Sequence, residues 1–115
     1  MKISELFAEV PFRVCRGDVH EIEHLEVSAV EFDSRNVKPG ALFVCIKGFE
    51  SDGHDYAQKA IEAGALALCV EHELADIEAP QLIVQDTRHA LALTAQRFYG
   101  DPSARMDVVG ITGTN

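Results

Sequence analysis

The sequence predicts an α/β fold in which a small parallel or mixed sheet is flanked by helices. Short apolar runs at 41–46, 66–70 and 82–84 are continuous rather than alternating, which is typical of strands buried on both faces. A helical pattern at 56–63 separates the first two runs, and a second at 87–99 lies between the third run and a further apolar run at 108–111. Strand–helix–strand units therefore follow one another twice along the chain, as expected of α/β proteins.

The first third of the chain predicts a short helix, a polar segment and a strand. Residues 3–10 form the helix because their apolar side chains share one face, and Pro11 ends it. Residues 13–26 are polar and acidic, and Gly17 disfavours a helix there, so we expect a solvated loop or a strand edge. The run at 27–32 predicts a strand.

Turn and capping residues bound the remaining elements. A Lys-Pro-Gly turn at 38–40 precedes the apolar strand that begins at residue 41. Asp55 is the predicted N-cap of the first long helix, and Gly64 suits the position just after its end. Asp86 is the predicted cap of the longest helix, which the turn residues at 100–103 stop.

Composition and charge exclude several classes of protein. With 47% hydrophobic residues among 115, the chain can bury a core. A formal net charge of −9 argues against nonspecific binding to nucleic acid or to an anionic membrane, since both need clustered positive charge. No apolar run approaches the roughly 20 residues needed to span a bilayer, and the start lacks a signal-peptide pattern. We expect a soluble, cytoplasmic protein.

The cysteines predict no cross-link and no metal site. Cys15, Cys45 and Cys69 are odd in number and include no CxxC pair, which fits neither a disulfide framework nor a zinc site. Because Cys45 and Cys69 lie in apolar runs, we expect them to be inert thiols of the core.

The histidines carry weak signals for chemistry. His20 and His24 have the i, i+4 spacing that could bind a metal on a helix, but their neighbours show no zinc-site pattern. His54 has no nucleophile in an obvious triad with it, so we expect it to make structural hydrogen bonds. No metal site is predicted.

Two polar segments, 33–36 and 47–54, follow neighbouring strands. Ligands of open α/β sheets lie beyond the carboxyl ends of the strands, so the two segments form one small-molecule pocket if both strands end on the same side. Ser34 can hydrogen-bond a ligand, Arg35 can contact a phosphate or pair with a carboxylate, and Phe49 offers a stacking surface. Turn chemistry alone remains an alternative explanation of the first segment.

The end of the chain indicates a nucleotide site. A predicted strand at 108–111 runs into Gly113, Thr114 and Asn115, as at the start of a phosphate-binding loop. A standard loop would place its first glycine at position 111, where Ile111 stands, so the run supports a shortened loop built on Gly113.

The chain is predicted to divide at residue 100. Residues 1–100 form one domain, and 101–115 form a linker and the first strand of a second domain. We expect a larger nucleotide-dependent enzyme that is interrupted within its active centre. A small domain with an unusual tail is the alternative.

A set of short motifs occurs in order from about residue 27 to the end. Each motif is weakly specific alone, but the ordered set is specific. The motifs are Asp33-Ser34-Arg35, Val37-Lys38-Pro39-Gly40, Leu42-Phe43-Val44, Gly48, Asp52-Gly53-His54, Ala60 with Gly64-Ala65, Asp86 with Ala90-Leu91, Phe98-Tyr99-Gly100, Pro102-Ser103, and Gly110-Ile111-Thr112-Gly113-Thr114-Asn115. The set resembles the amino-terminal part of the Mur ligases of peptidoglycan synthesis, whereas the first 26 residues match weakly.

The last motifs look most like the branch of that family that adds the third amino acid, diaminopimelate or lysine, to UDP-N-acetylmuramoyl-L-alanyl-D-glutamate. The branch that adds D-Ala-D-Ala shares the earlier motifs and stays an alternative, as does a stand-alone, non-catalytic ligand-binding module. The resemblance implies that residues 1–100 bind the UDP end of this substrate. Residues 101–115 would then begin an ATP-binding central domain, whose family loop reads Thr-Gly-Thr-Asn-Gly-Lys-Thr.

The resemblance also implies roles for individual residues. Ser34 matches a serine that contacts the UDP moiety, and Phe32 matches an apolar neighbour of the uracil. Phe49, Glu50 and Ser51 match the loop that flanks it. ATP and Mg²⁺ are implied for the full-length enzyme, whereas the fragment is expected to hold no cofactor, no catalytic residue and no activity. The start of the ATP loop is matched by Gly113, Thr114 and Asn115.

Overall fold

A mixed five-stranded sheet forms the centre of the fold, in the order β1-β5-β4-β3-β2. The computed structural model describes residues 1–15, 17–47 and 52–100. β2, β3, β4 and β5 run parallel, and β1 pairs antiparallel with β5. The predicted α/β class with a parallel or mixed sheet is therefore confirmed. The strands are β1 Arg13–Cys15, β2 Ala29–Glu31, β3 Ala41–Val44, β4 Ala67–Val70 and β5 Gln81–Ile83.

Helices cover both faces of this sheet. The side chains of β3 show why its sequence is apolar throughout: Leu42 and Val44 join one buried cluster, while Ala41 and Phe43 join another. Successive side chains of a strand point to opposite faces, so a strand covered on both sides needs no polar alternation. α1, α2 and α4 pack on the first cluster, and α3 packs on the second. The helices are α1 Ile3–Leu6, α2 Val19–Glu23, α3 Ala57–Glu62 and α4 Thr87–Tyr99.

The prediction for the first third was partly wrong. α1 ends at Leu6 rather than at residue 10. The segment 13–26, predicted as a loop or strand edge, contains β1 and α2. α2 forms because the Asp18 side chain accepts the His20 backbone N–H at 2.8 Å, and because Ile22 is buried in the first cluster. Gly17 precedes this cap and therefore does not interrupt the helix.

The start of α3 also differs from the prediction, since Asp55 does not cap it. Asp52 instead caps a 3-10 helix at Gly53–Tyr56, accepting the His54 backbone N–H at 2.9 Å, and α3 follows directly. The predicted role of Gly64 is confirmed by its φ of 115°. The Gly64 N–H donates to Ile61 and the Ala65 N–H to Ala60, the two bonds of a Schellman cap.

α4 has the bounds that the sequence predicts. Asp86 accepts the backbone N–H groups of Arg88 and His89 at 2.9 and 3.2 Å, which confirms it as the N-cap. At the other end, the Tyr99 hydroxyl accepts the Val30 N–H and donates to the Val30 carbonyl, both at 3.2 Å. The hydroxyl thereby supplies hydrogen-bond partners for the backbone of Val30 in edge strand β2. This strand lies just before the first polar segment.

No helix within the described ranges is long and apolar enough to cross a membrane. The predicted linker and strand at 101–115 lie outside the described residues, so the domain division at residue 100 stays a prediction.

Candidate functional site

A cleft of about 680 Å³ opens beyond the carboxyl ends of β2 and β3. Because these strands are parallel neighbours, the polar segments that follow them meet at one edge of the sheet. The single pocket that the sequence predicts between the two segments is observed for the residues described. The lining consists of Phe32, Asp33, Ser34, Arg35, Phe43, Ile46, Gly53, Tyr56 and Lys59.

The first segment is a clamped turn that presents Ser34. A short 3-10 helix, Ser34–Asn36, begins where Asp33 accepts the Arg35 backbone N–H at 2.9 Å. The Arg35 guanidinium folds back onto the same carboxylate, with N–O distances of 3.0 and 2.7 Å. Ser34 lies between these paired residues, and its hydroxyl makes no hydrogen bond to the described residues. The residues of this turn therefore also form part of the wall of the cleft.

The second segment approaches the end of β3 closely at Gly53. Its N–H donates to the Ile46 carbonyl at 2.7 Å, and a Cβ at this position would lie 2.5 Å from the Ile46 nitrogen. Any side chain here would push the 3-10 helix away from the strand. Glycine is therefore required for the cleft to close on this side.

His54 is structural, as the sequence predicts. Its Nε2 accepts the Glu71 backbone N–H at 3.1 Å, and its Nδ1 lies 2.6 Å from the Asp52 carboxylate. A neutral ring that accepts at Nε2 carries its proton on Nδ1 and donates it to Asp52. The ring also stacks on His72 with centroids 4.6 Å apart. Both ring nitrogens are occupied, which leaves neither to act as a general base.

Tyr56 and Lys59 are lining residues that sequence reasoning missed. They lie one helical turn apart, and the Lys59 ammonium is 5.8 Å from the Tyr56 ring centroid. Tyr56 is 38% exposed and Phe32 is 60% exposed, and both rings line the cleft. The signal that could have identified them is an aromatic residue two positions after the histidine of the Asp-Gly-His motif, followed three positions later by lysine.

Two of the residues predicted to bind the substrate, Phe32 and Ser34, line the cleft, and their roles in binding stay predictions. The flanking loop and the ATP loop lie outside the described residues, so their roles stay predictions. The residues concerned are Phe49, Glu50, Ser51, Gly113, Thr114 and Asn115.

Two of the cysteines and two of the histidines outside the cleft show no reactive centre within the described residues. Cys45 and Cys69 are buried, which confirms them as core thiols. Burial raises the pKa of Cys45 to about 12 and raises the pKa of Cys69 as well, so neither is a thiolate at neutral pH. His20 and His24 belong to no group of three or more metal-ligating side chains within the described part of the chain.

The Asp33–Arg35 clamp predicts a specific response to acid. Hydrogen bonds from Arg35 lower the pKa of Asp33 to about 2, below its unfolded value of about 3.9. Because the pKa of Asp33 is lower in the folded state, the clamp stabilises the turn fully at pH values above the pKa of the unfolded chain. This stabilisation is lost as the pH falls through the pKa of the folded state.

In NMR spectra recorded on acidification, the Arg35 backbone and Nε–H signals should therefore keep their neutral-pH positions down to about pH 3. Asp33→Asn should shift both signals at neutral pH and remove their response to acid. Titration of the wild-type signals near pH 4 would show that the clamp does not form.

This chain is similar in sequence to known ligases. The family model described as "Mur ligase family, catalytic domain" matches residues 26–99. A UDP-N-acetylmuramoyl-L-alanyl-D-glutamate–2,6-diaminopimelate ligase of Geobacillus thermodenitrificans is 44% identical over 100% of this chain and 22% of its own length. The enzyme of the same name from Listeria monocytogenes is also 44% identical, over 100% of this chain and 22% of its own length.

Solved structures share the fold. MurF of Acinetobacter baumannii superposes with a TM-score of 0.67 at 26% identity, covering 80% of this chain and 19% of its own. MurF of Thermotoga maritima, solved in complex with ADP, has a TM-score of 0.54 at 29% identity over 64% of this chain and 17% of its own.

This chain spans about a fifth of the length of the curated relatives it matches. The family match covers the sheet from just before β2 to the end of α4, and therefore includes every residue that lines the cleft. By this match, the chain belongs to the Mur ligase family.

Proposed function

We propose that this chain binds the UDP end of UDP-N-acetylmuramoyl-L-alanyl-D-glutamate. It would do so within an ATP-dependent ligase that adds a third amino acid, diaminopimelate or lysine, during peptidoglycan synthesis. Similarity over the whole chain to diaminopimelate ligases supports the substrate, and the position of Ser34 and Phe32 on one cleft supports the site. We also propose a cytoplasmic location, where the nucleotide precursor would be met.

The chemistry of the cleft suits a nucleoside. Phe32 is 60% exposed and lines the cleft, where an aromatic face can pack against a pyrimidine ring. Since no described residue hydrogen-bonds to it, the Ser34 hydroxyl can donate to a carbonyl oxygen or accept from an imide N–H. The clamp between Asp33 and Arg35 holds this hydroxyl in place before the ligand arrives.

The ligation step itself would involve residues that the structure does not describe. Gly113, Thr114 and Asn115 match the start of a loop for ATP, and ATP with Mg²⁺ would supply phosphoryl transfer to the substrate carboxylate in the longer enzyme. In this proposal the described residues bind and orient the nucleotide handle, and none is a catalytic residue.

A second candidate function, the addition of D-Ala-D-Ala, is supported by similarity to a solved structure. A D-alanyl-D-alanyl-adding ligase of Acinetobacter baumannii shares the fold with a TM-score of 0.65. Its identity of 26% is lower than the 44% of the diaminopimelate ligases, so we prefer the first proposal. Reading the gene beyond Asn115 separates both from a stand-alone binding module: continuation with Gly-Lys-Thr favours a ligase, and a stop codon favours the module.

Titration with UDP, followed by ¹H–¹⁵N NMR, tests the proposed site. Amide signals of Phe32, Ser34 and the loop at 49–51 should shift together. Ser34→Ala should weaken UDP binding about threefold to tenfold, the worth of one hydrogen bond. Ser4→Ala, an exposed change in α1, should leave the affinity unchanged. Shifts confined to other parts of the chain would contradict the proposal.

A further inference from the structure

The charged side chains of the cleft are unequally available to a ligand. Asp33, Arg35 and Lys59 are the charged residues among the described lining. Both carboxylate oxygens of Asp33 are bound by the Arg35 guanidinium, so these two charges largely cancel. Lys59 has no carboxylate partner within the described part of the chain. Its ammonium group is therefore the positive charge that the cleft offers to an anion.

Tyr56 keeps that ammonium beside the cleft. The Lys59 Nζ atom lies 5.8 Å from the centroid of the Tyr56 ring, within the range of a cation–π contact. Both residues line the cleft, and the ring is held by the 3-10 helix that Asp52 caps. A lysine restrained in this way loses less conformational freedom on binding than a free surface lysine does.

The overall charge makes such a cation important. A chain with a formal net charge of −9 repels a diphosphate at long range, so binding requires local compensation at the site. The Phe32 ring and the Lys59 ammonium line the same cleft of about 680 Å³, which is in the usual size range for sites that hold small ligands. One nucleotide can therefore reach an aromatic surface with its base and an ammonium with its phosphates.

We propose that Lys59, positioned by Tyr56, contacts the diphosphate and makes the cleft discriminate a nucleoside diphosphate from the nucleoside alone. This inference rests on the proposed binding of UDP. It assigns specificity for the phosphates to α3, separately from the base contacts after β2. Tyr56 acts here as a positioning residue, because it contacts the lysine.

Parallel titrations with uridine and UDP test this assignment. Lys59→Gln removes the charge but keeps a good helix former in α3, so folding should be unaffected. We expect UDP affinity to fall about fivefold to tenfold, while uridine affinity changes less than twofold. Lys59→Arg should retain most of the preference for UDP. The matched control Lys2→Gln makes the same charge change outside the cleft and should have no effect.

Two further readouts separate a phosphate contact from a general change in structure. The UDP affinity of the wild type should fall as salt is raised from 20 to 300 mM, and Lys59→Gln should reduce that dependence. Tyr56→Phe keeps the aromatic face and should behave as the wild type, whereas Tyr56→Leu should lose part of the preference for UDP.

The outcomes distinguish this inference from the proposal on which it rests. If wild-type protein shows no UDP-dependent shifts at Phe32 and Ser34, the proposed function fails, and this inference fails with it. If those shifts occur but Lys59→Gln retains the full preference for UDP over uridine, the assignment of Lys59 alone is overturned. Equal losses for Lys59→Gln and Lys2→Gln would show a long-range charge effect and would also overturn it.

Discussion

Replacing Gln81 with leucine is expected to lower the free energy of unfolding by about 3 to 5 kcal/mol. Gln81 is completely buried in β5, where its side chain forms hydrogen bonds with the backbone of the loop that precedes the strand. Its Oε1 accepts the Leu74 N–H at 2.8 Å, and its Nε2 donates to the carbonyls of Leu74 and Ile77 at 3.0 and 2.9 Å. Leucine has a similar volume but leaves the Leu74 N–H and the Ile77 carbonyl without these partners, at about 1 to 3 kcal/mol each before any relief by water. The Leu74 carbonyl also loses a bond but still accepts the Ile77 N–H at 3.2 Å.

Urea denaturation of the 115-residue chain measures this effect. Gln85→Leu provides the matched control, since Gln85 is exposed a few residues further along and should change stability by less than about 0.5 kcal/mol. A loss below about 1 kcal/mol for Gln81→Leu would show that the connection finds other hydrogen-bond partners.

Replacing Asp52 with alanine is expected to destabilise the fold by about 2 to 3 kcal/mol. The carboxylate caps the second 3-10 helix through the His54 N–H, and it also accepts from the buried His54 ring at 2.6 Å. Alanine removes the cap and leaves the ring N–H without its acceptor. Since Tyr56 belongs to this 3-10 helix, the wall of the cleft should loosen as well.

Asp55→Ala is the matched control, because the sequence predicts Asp55 as the cap whereas the structure shows Asp52 in that position. Unfolding in urea at pH 7 should show a change of less than about 0.5 kcal/mol for Asp55→Ala. The His54 backbone N–H, ahead of the contacts from its ring, lowers the pKa of Asp52. The cap therefore stabilises the fold above the unfolded pKa and is lost as the pH falls through the lower folded value. A larger loss for Asp55→Ala than for Asp52→Ala would contradict the observed capping.

The cap of the helical segment beside the cleft shows why local sequence alone could not predict that part of the site. Asp52 and Asp55 are both chemically suitable N-caps. The choice between them depends on the close contact of Gly53 with the Ile46 backbone and on the bond from Glu71 to the His54 ring. These are long-range contacts. Tyr56 and Lys59 fall within the helical segment that the sequence predicts, but only the tertiary structure shows that both line the cleft.

Other parts of the site could be predicted from local chemistry. Asp33 and Arg35 are close enough in sequence to form their clamp without help from the rest of the chain, so the turn around Ser34 is determined locally. The meeting of this turn with the second segment required β2 and β3 to be parallel neighbours, which the sequence left as a condition and the sheet pairing decides.

The sequence by itself determined the buried strands, the bounds of α4 and the turn at Gly64. Apolar runs, capping residues and a glycine with positive φ act over a few neighbouring residues. Only the tertiary structure decided that residues 13–15 form strand β1, that Gln81 is buried, and that Lys59 is the cleft's unpaired cation among the described residues. Each depends on groups brought together from distant positions, because a polar side chain becomes buried or available according to which partners the fold supplies.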